Sequence, residues 1–271
     1  MSDHEPTSEH RLIVLGARGS IPVSGAEFNR YGGNTTCVAV AQGSKVLAIF
    51  DAGTGVLAID NHDLELADAV DVFLTHYHWD HIQGVSMLPE VWTGDSSFTF
   101  HGFNNPRTVL TEAIRPPWFP VALEDAPGRI AYAPLDGPVD VGSTRVTSFP
   151  VQHPQGAVGF RIDGPAGSAA IVTDHESTPD CDALIAEAID GVDVLLHDAQ
   201  YLPSEAAQYV GWGHSTWENA VAMAGRIGAN QLVLTSHNPR RTDDEIDEMV
   251  AAASAEFPNT IAASPGLEFR L

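Results

Sequence analysis

The chain has 271 residues and a formal net charge of −23, with 13 basic against 36 acidic side chains. Hydrophobic residues make up 44% of it, which is enough for a sizeable buried core and excludes a largely disordered chain. No stretch approaches the about 20 apolar residues of a membrane helix, so we expect no membrane protein. The acidic charge disfavours long nucleic acids as partners unless arginines cluster locally.

The N-terminus and the cysteines bear on the cellular compartment. The opening residues, MSDHEPTSEHR, are acidic and polar where a signal peptide is basic and then apolar. Cys37 and Cys181 are too few for a disulfide framework. We therefore expect a soluble cytoplasmic protein with a single domain over residues 1–271, of which residues 1–10 form a flexible tail. Whether it forms a homodimer is left open by the sequence.

Short apolar segments rich in Val and Ile predict strands along the whole chain. Because these segments are continuously apolar rather than alternating, we expect sheets that are covered on both faces. The predicted strands are Arg11–Gly16, Thr36–Ala41, Val46–Phe50, Asp71–Thr75, Ser97–Gly102, Arg145–Pro150, Ala157–Ile162, Ala169–Asp174, Val192–Asp198 and Gln231–His237.

Helical patterns alternate with these strands, and no linker separates them, which predicts one layered α/β domain. Capping boxes are expected at two helix starts, Ser215 with Glu218 and Thr242 with Glu245. The proline-rich segment 116–128 predicts a long loop that forms a wall of a substrate pocket. The predicted helices are Pro106–Arg115, Asp180–Asp190, Ser215–Gly228 and Thr242–Glu256.

The chemistry is indicated by THYHWDH at residues 75–81, where four potential metal ligands lie within six residues at the end of a predicted strand. Imidazoles and a carboxylate without nearby thiols suit Zn²⁺ or a similar divalent ion. Alternate spacing places His76 and His78 on one side of an extended segment, while Asp80 and His81 turn to the other side. Histidines with a purely structural role would require burying four polar groups together without partners, which is costly.

This motif, HxHxDH, resembles that of the metallo-β-lactamase superfamily, and the resemblance continues along the chain. His153 in PVQHPQG, Asp174 in AAIVTD and His237 in LVLTSHNPRR stand in order where that superfamily places its remaining ligands. The resemblance implies the four-layer αββα sandwich fold. It also implies two divalent ions, with Zn²⁺ the leading candidate and Mn²⁺ or Fe as alternatives.

The resemblance implies a role for each ligand. His76, His78 and His153 would hold one ion, Asp80, His81 and His237 would hold the other, and Asp174 would bridge the two. A water between two such ions loses its proton near neutral pH, and the resulting hydroxide attacks the substrate. Asp80 is expected to help orient that hydroxide.

Two further motifs, HDAQY at residues 197–201 and GHST at residues 213–216, resemble a pair in RNase Z and related phosphodiesterases. The resemblance makes His214 the general acid that protonates the leaving oxygen, oriented by Asp198, where RNase Z has Glu. A carboxylate that fixes a histidine tautomer and raises its pKa gives such an acid. Two other roles stay open: His214 capping its own helix, and Asp198 supporting a metal ligand.

The segments GARGSIPVSG and RYGGNTTC resemble a bacterial group similar to cyclic-nucleotide phosphodiesterases, and THYHWDH resembles the cyclic phosphodiesterase of phosphonate breakdown. This similarity places Asn34 and Gly32–Gly33 near the metals as substrate contacts. A tight turn explains the two glycines equally well.

We therefore expect a binuclear-metal phosphodiesterase for a small phosphodiester, a cyclic nucleotide or a cyclic sugar phosphate. A tRNA-cleaving RNase Z is less favoured, because no gripping arm is evident and the net charge is −23. A lactonase or thioesterase shares HxHxDH but has no need of GHST. A secreted β-lactamase does not match, since no signal peptide is expected. A metal-dependent redox module would need a flavin or partner domain.

Overall fold

The structure, a computed structural model, describes residues 9–271. Most of the tail predicted over residues 1–10 lies outside the described residues. His10 already begins the first strand, where it is buried and its Nδ1 lies 2.8 Å from Oγ1 of Thr144. The tail therefore does not extend to His10.

The described residues form fourteen strands, which belong to two mixed sheets. The strands are β1 (His10–Gly16), β2 (Cys37–Gln42), β3 (Lys45–Phe50), β4 (Glu65–Phe73), β5 (Ser97–Gly102), β6 (Arg129–Pro134), β7 (Val139–Val141), β8 (Thr144–Val151), β9 (Ala157–Asp163), β10 (Ser168–Val172), β11 (Val194–Asp198), β12 (Gln231–Thr235), β13 (Thr260–Ala262) and β14 (Glu268–Arg270). The first sheet has the order β14-β1-β2-β3-β4-β5-β6, and the second has the order β13-β12-β11-β10-β9-β8-β7.

Helices cover the outer face of each sheet. They are α1 (Trp79–Ile82), α2 (Pro89–Thr93), α3 (Pro106–Ala113), α4 (Pro179–Ala188), α5 (Pro203–Ala206), α6 (Trp217–Ile227) and α7 (Asp243–Glu256). Residues of α1, α2 and α3 pack on the first sheet, and residues of α4, α6 and α7 pack on the second. The protein is thus an α/β sandwich with four layers, αββα, as the sequence predicted.

The two sheets meet face to face through an apolar core that both supply. Its centre is aromatic: the rings of Phe50 and Phe73 are stacked with centroids 5.1 Å apart, and Phe160 of the second sheet contacts both edge-on. Such aromatic pairs add about 0.5–1.5 kcal/mol each beyond the area that they bury. This contact holds the two sheets at a fixed separation.

Parallel pairing in the middle of both sheets decides where a site can form. Strands β3 to β6 run parallel in the first sheet, and strands β10 to β13 run parallel in the second. The carboxyl ends of parallel strands meet at one edge of a sheet, where the loops of α/β proteins carry ligands. Predicted site residues follow β4, β10 and β12 at these ends, and Asp198 is the last residue of β11.

All ten predicted strands are present, but three end two residues earlier than predicted. Strand β4 ends at Phe73, β10 at Val172 and β12 at Thr235, each just before a candidate site residue. Beyond two of these ends the backbone turns left-handed, with φ 50° at Asp174 and φ 56° at Ser236. The chain thus leaves the sheet there, although its sequence still has a strand pattern.

Four short or half-exposed strands, β6, β7, β13 and β14, were not predicted. The predicted helices are all present within two residues at either end. The capping box at Thr242 and Glu245 is confirmed. The one predicted at Ser215 and Glu218 is wrong by one residue, because Thr216 caps the helix with Asn219.

The predicted loop at 116–128 contains a short 3-10 helix, Leu123–Asp125. Leu123 is buried in the outer core of the first sheet, and the ring of Phe119 stacks on Trp92 with centroids 5.7 Å apart. Among the hydrogen bonds of this segment, none joins it to a predicted metal ligand within the described chain. Its role as a pocket wall stays a prediction.

No helix among residues 9–271 combines the length and the apolar character needed to cross a bilayer.

The cap at Thr242 yields a stability prediction. Its Oγ1 accepts a hydrogen bond from the backbone N–H of Glu245 and donates one to the Glu245 carboxylate at 2.9 Å. Thr242→Ala should lower the free energy of unfolding by about 1 kcal/mol, measured by urea denaturation. Thr242→Ser keeps the hydroxyl and is the matched control, so a similar loss in both variants would contradict the cap.

Candidate active site

The segment 75–81 forms a tight turn between β4 and α1. His78 is the residue that precedes α1, with extended backbone, so Asp80 and His81 lie in the first helical turn. His76, Asp80 and His81 are all buried. His76 and His78 alternate along the extended segment, and Asp80 and His81 lie on the helical turn that follows. The four side chains are thus divided between two neighbouring positions, as the spacing predicted.

Asp51, which sequence reasoning missed, holds this turn in place. It follows β3 with φ 57°, and its carboxylate accepts hydrogen bonds from the N–H and the hydroxyl of Thr75, both at 2.8 Å. The same carboxylate lies 2.7 Å from Nδ1 of His81. The neutral form of His81 therefore carries its proton on Nδ1 and presents the lone pair of Nε2 to the site. The sequence signal that could have identified Asp51 is its position directly after an apolar strand.

Three groups of donor atoms, each within 4.8 Å of one another, share the carboxylate of Asp174. One of them is Asp174 with Asp198 and His214, and the other two contain the residues of THYHWDH. The first group is His76, His78, His153 and Asp174. The second group is Asp80, His81 and Asp174.

The first group is oriented by contacts outside it. Nδ1 of His153 lies 2.8 Å from the carbonyl of Gly213, to which it donates, so its Nε2 faces Nδ1 of His78 at 3.2 Å. Nδ1 of His76 contacts the hydroxyl of Thr75 at 3.0 Å. Gly213 has φ 82°, and a Cβ there would lie 2.1 Å from Nδ1 of His153. Only glycine lets this carbonyl approach so closely.

The second group is compact and acidic. Nε2 of His81 lies 3.3 Å from Oδ2 of Asp80 and 3.4 Å from Oδ2 of Asp174. The backbone N–H of Ser20 donates to Oδ2 of Asp80 at 2.7 Å, which fixes that carboxylate from the opposite side. Ser20 was not singled out from the sequence, since a backbone donor leaves no residue-type signal.

Asp174 is ionised although it is fully buried. Burial would raise the pKa of its carboxyl, but the neighbouring imidazoles, His81 above all, hold that pKa well below its usual range. The pKa of His76 is held well below its ordinary value by burial and then by the charge of His81. His76 is therefore neutral and has a lone pair to donate.

These residues fit divalent metal ions. Nε2 of His76 and Nε2 of His81 are buried and have no hydrogen-bond partner. An unpaired buried nitrogen is costly unless something binds its lone pair. Burial lowers the pKa of His81, but three carboxylates, led by Asp51, raise it well above the ordinary value, which means that the position favours positive charge. A cation between imidazoles and carboxylates satisfies both conditions.

His237 is not brought into either group. Its Nε2–H donates to the carbonyl of Ala263 at 2.9 Å, and its ring packs edge-on against Tyr31. His237 is absent from every set of donor atoms within 4.8 Å of one another in the described chain. Ser236, the residue before it, instead lies beside the site, with its hydroxyl 3.5 Å from Oδ1 of Asp174. Nδ1 of His237 is buried without a hydrogen-bond partner but lies outside these donor groups, so the metal role of His237 stays a prediction that this arrangement does not favour.

Asp198 and His214 form a buried pair next to the metal groups. Oδ2 of Asp198 lies 2.6 Å from Nδ1 of His214, and the backbone N–H groups of Gln200 and Ser215 donate to its other oxygen. Nε2 of His214 faces Asp174 at 3.9 Å. The helix after GHST is capped by Thr216. His214 thus has no capping role and points into the site.

The predicted substrate contact Asn34 lies outside both donor groups, and its carbonyl accepts from the N–H groups of Ala17 and Arg18. Gly33 packs so tightly that a Cβ would lie 1.9 Å from the carbonyl of Val23. Gly32 has φ 73° and lies against Pro265. The turn explanation of the two glycines therefore has direct support.

Arg18, also missed from the sequence, is fully buried behind this turn. Its guanidinium donates to the carbonyls of Gly32, Asn238 and Arg241 and lies 3.5 Å from Asp243. It thereby joins the loop after β1 to the loop after β12.

Exposed aromatic side chains border the metal groups. Trp212, 62% exposed, adjoins Gly213 in sequence, and Trp79, 59% exposed, stands within THYHWDH. Rings continue from the site outward: His214 contacts Tyr201 edge-on, Tyr201 stacks on Tyr209 at 4.3 Å, and Tyr209 contacts Trp212. We name Tyr201, Tyr209 and Trp212 the aromatic series.

A family model described as the beta-lactamase superfamily domain matches residues 48–237, well over half of the chain. The chain belongs to the beta-lactamase superfamily. This membership and the two donor groups make it a metal-dependent hydrolase.

Relatives of this superfamily member extend over nearly its whole length. Ribonuclease Z of Synechococcus sp. (strain CC9311) is 27% identical, and the alignment covers 93% of this chain and 96% of the relative. A solved structure described as a new diphosphatase from the PhnP family has 21% identity and a TM-score of 0.72, covering 97% of this chain and 98% of that one. Zn²⁺-bound PqqB from Methylobacterium extorquens has 18% identity and a TM-score of 0.72, covering 96% and 100%. These structural similarities show the shared fold.

The contact between Asp51 and His81 yields a prediction about metal affinity. Asp51→Asn should lower the affinity for Zn²⁺ about 10–100-fold, because loss of the charge frees the tautomer of His81. The measurement is competition with a chromophoric chelator. Asp71→Asn is the matched control, since Asp71 pairs with His101 at 2.6 Å away from the site. An unchanged affinity in Asp51→Asn would contradict the orienting role.

Proposed function

We propose that this protein is a phosphodiesterase for a small phosphodiester, with cyclic nucleotides as the leading substrate class. The observation that carries the proposal is the buried pair of Asp198 and His214, with Nε2 of His214 facing the metal groups. Alkoxide leaving groups such as a ribose oxygen depart poorly without a proton, so their cleavage requires an acid at this place. A lactonase or thioesterase has less need of one.

The names of the relatives agree with phosphoryl chemistry. One is a ribonuclease and another is a diphosphatase, and both names denote cleavage of bonds to phosphorus. An RNase Z-like RNA endonuclease is the second candidate, favoured by the similarity to ribonuclease Z over nearly the whole chain.

The proposed cofactors are two divalent ions, with Zn²⁺ preferred and Mn²⁺ or Fe as alternatives. Three imidazoles and one carboxylate in the first group are ligand types that Zn²⁺ takes in proteins. Such ions, when bound, lower the pKa of water and polarise the phosphoryl oxygens. Asp80, held by the N–H of Ser20, is placed to orient the attacking water.

His214 holds the proton for the leaving oxygen on Nε2. Burial lowers the pKa of His214, but the carboxylates of Asp198 and Asp174 raise it to about 9. The ring is therefore protonated at neutral pH, as a general acid must be. An ion bound to Asp174 would offset part of the negative charge of that carboxylate and so lower the pKa of His214.

The aromatic series supports a nucleotide over a sugar phosphate that has no base. It begins at Tyr201, which contacts His214, and ends at the exposed ring of Trp212. Stacking of a base on an aromatic side chain contributes about 1–3 kcal/mol.

The proposal also keeps Asn34 as a substrate contact.

Charge argues for a small substrate rather than structured RNA. The net charge is −23, and eight of the arginines lie within 4.0 Å of a carboxylate. These eight arginines therefore do not form a patch of unpaired positive charge that could offset the acidic surface. The alignment with ribonuclease Z runs over 312 positions, so that relative contains residues with no counterpart in this chain of 271.

A substrate panel tests the reaction class. With added Zn²⁺ or Mn²⁺, hydrolysis of bis-p-nitrophenyl phosphate and cyclic nucleotides should exceed that of a lactone and nitrocefin by a wide margin. The KM for a cyclic nucleotide should lie below that for the same ribose cyclic phosphate without its base. Structured RNA is assayed in parallel at low salt. Preference for the lactone, or for structured RNA, would replace the proposal by the corresponding alternative.

His214→Ala tests the acid. It should reduce the rate on an alkyl phosphodiester about 10²–10⁴-fold and reduce it far less on a p-nitrophenyl ester, whose leaving group needs no proton. Metal content, measured by elemental analysis, should stay at the wild-type level, which separates the acid from a metal ligand. Equal losses on both esters would end this assignment.

The pH profile provides an independent readout of the same residue. The acid is active when protonated, so the rate on the alkyl ester should fall as the pH rises through the raised pKa of His214. This alkaline limb should be missing in His214→Ala, and its persistence would assign it to another group.

A further inference from the structure

The two donor groups that contain the residues of THYHWDH differ in what they offer an ion. The first supplies three imidazoles and a carboxylate. The second supplies one imidazole and two carboxylates, one of which is shared. Structural Zn²⁺ sites use four protein ligands, whereas catalytic ones use three and leave a fourth position open. Within residues 9–271 the second group has three donor side chains, one fewer than the first group, and it shares one of them.

His237 cannot complete it without a local rearrangement. Its Nε2–H is bonded to the carbonyl of Ala263, and its backbone N–H and carbonyl are bonded to Ala17 and Gly19 at 2.9 and 3.0 Å. These three contacts fix both the main chain and the ring. The ring is thus held on the side of Tyr31, away from Asp80 and His81.

Ser236 occupies the position beside the second group instead. It is fully buried, and its left-handed backbone, φ 56°, turns its hydroxyl toward Asp174 at 3.5 Å. A neutral hydroxyl is not among the ligand types that hold Zn²⁺ firmly, which are thiolate, imidazole and carboxylate.

We propose that the protein binds its two ions with unequal affinity. The first group holds one ion firmly, and the second group, with Ser236 at its open position, holds an ion that exchanges with the solvent. This inference rests on the metal centre of the proposed function. A position that the protein leaves open is also one that a substrate oxygen can take.

Metal retention measures this difference directly. The protein is loaded with Zn²⁺ and dialysed against metal-free buffer, and zinc is counted by mass spectrometry; calorimetric titration gives the two dissociation constants. We expect about one ion per chain to remain and the two constants to differ by about 100-fold or more. Ser236→His should retain two ions, because the new imidazole supplies the missing donor.

Three further variants keep the result interpretable. Ser236→Asp offers a charged donor in a residue type that enters left-handed backbone readily, in case the histidine does not fold. Ser236→Ala should leave the affinity for the first ion unchanged, and His237→Gln should leave the affinities for both ions unchanged. Equal affinity for the two ions in the wild type, or loss of the second ion in His237→Gln, would overturn this inference but not the proposed function. Binding of no ion at all would overturn the metal centre as well.

Discussion

Four histidines from different parts of the chain surround the buried carboxylate of Asp174. Its Oδ2 lies 3.4 Å from Nε2 of His81, 3.7 Å from Nε2 of His76 and of His153, and 3.9 Å from Nε2 of His214. An ionised carboxylate is very costly to bury unless positive or polar groups compensate it. The ends of strands from both sheets must therefore come together at this point, and the packing of the sheets serves to keep them there.

The parts of this centre that are local in sequence were predictable. THYHWDH contains its ligands within seven residues, and alternation followed by one helical turn is enough to divide them between two groups. The predicted strands also rest on a local signal, since continuous apolar segments can only be buried on both faces. The pairing of Asp198 with His214 came from resemblance, and the distance of 2.6 Å between them agrees with it.

What the sequence did not reveal depends on backbone geometry and on distant contacts. Asp51 supports His81 across thirty positions of chain, and no pattern of residue types links the two. At Ser236 and His237 the strand pattern continues, yet the backbone turns left-handed and exchanges which of the two side chains faces Asp174. Strands β7, β13 and β14 have three residues each and are formed by pairing with neighbours rather than by their own composition.

The buried guanidinium of Arg18 resists separation of the two loops that it joins. Because it is bonded to Gly32 on one loop and to Asn238 and Arg241 on another, separating those loops would strand an unpaired charge, at a cost of about 3–5 kcal/mol. The loop that carries Trp212 is held differently: the Glu176 carboxylate accepts from the N–H groups of Gly211 and Gly213, where partial exposure lets water replace the bonds. The loop that carries Trp212 is thus attached less firmly than the two loops that Arg18 joins.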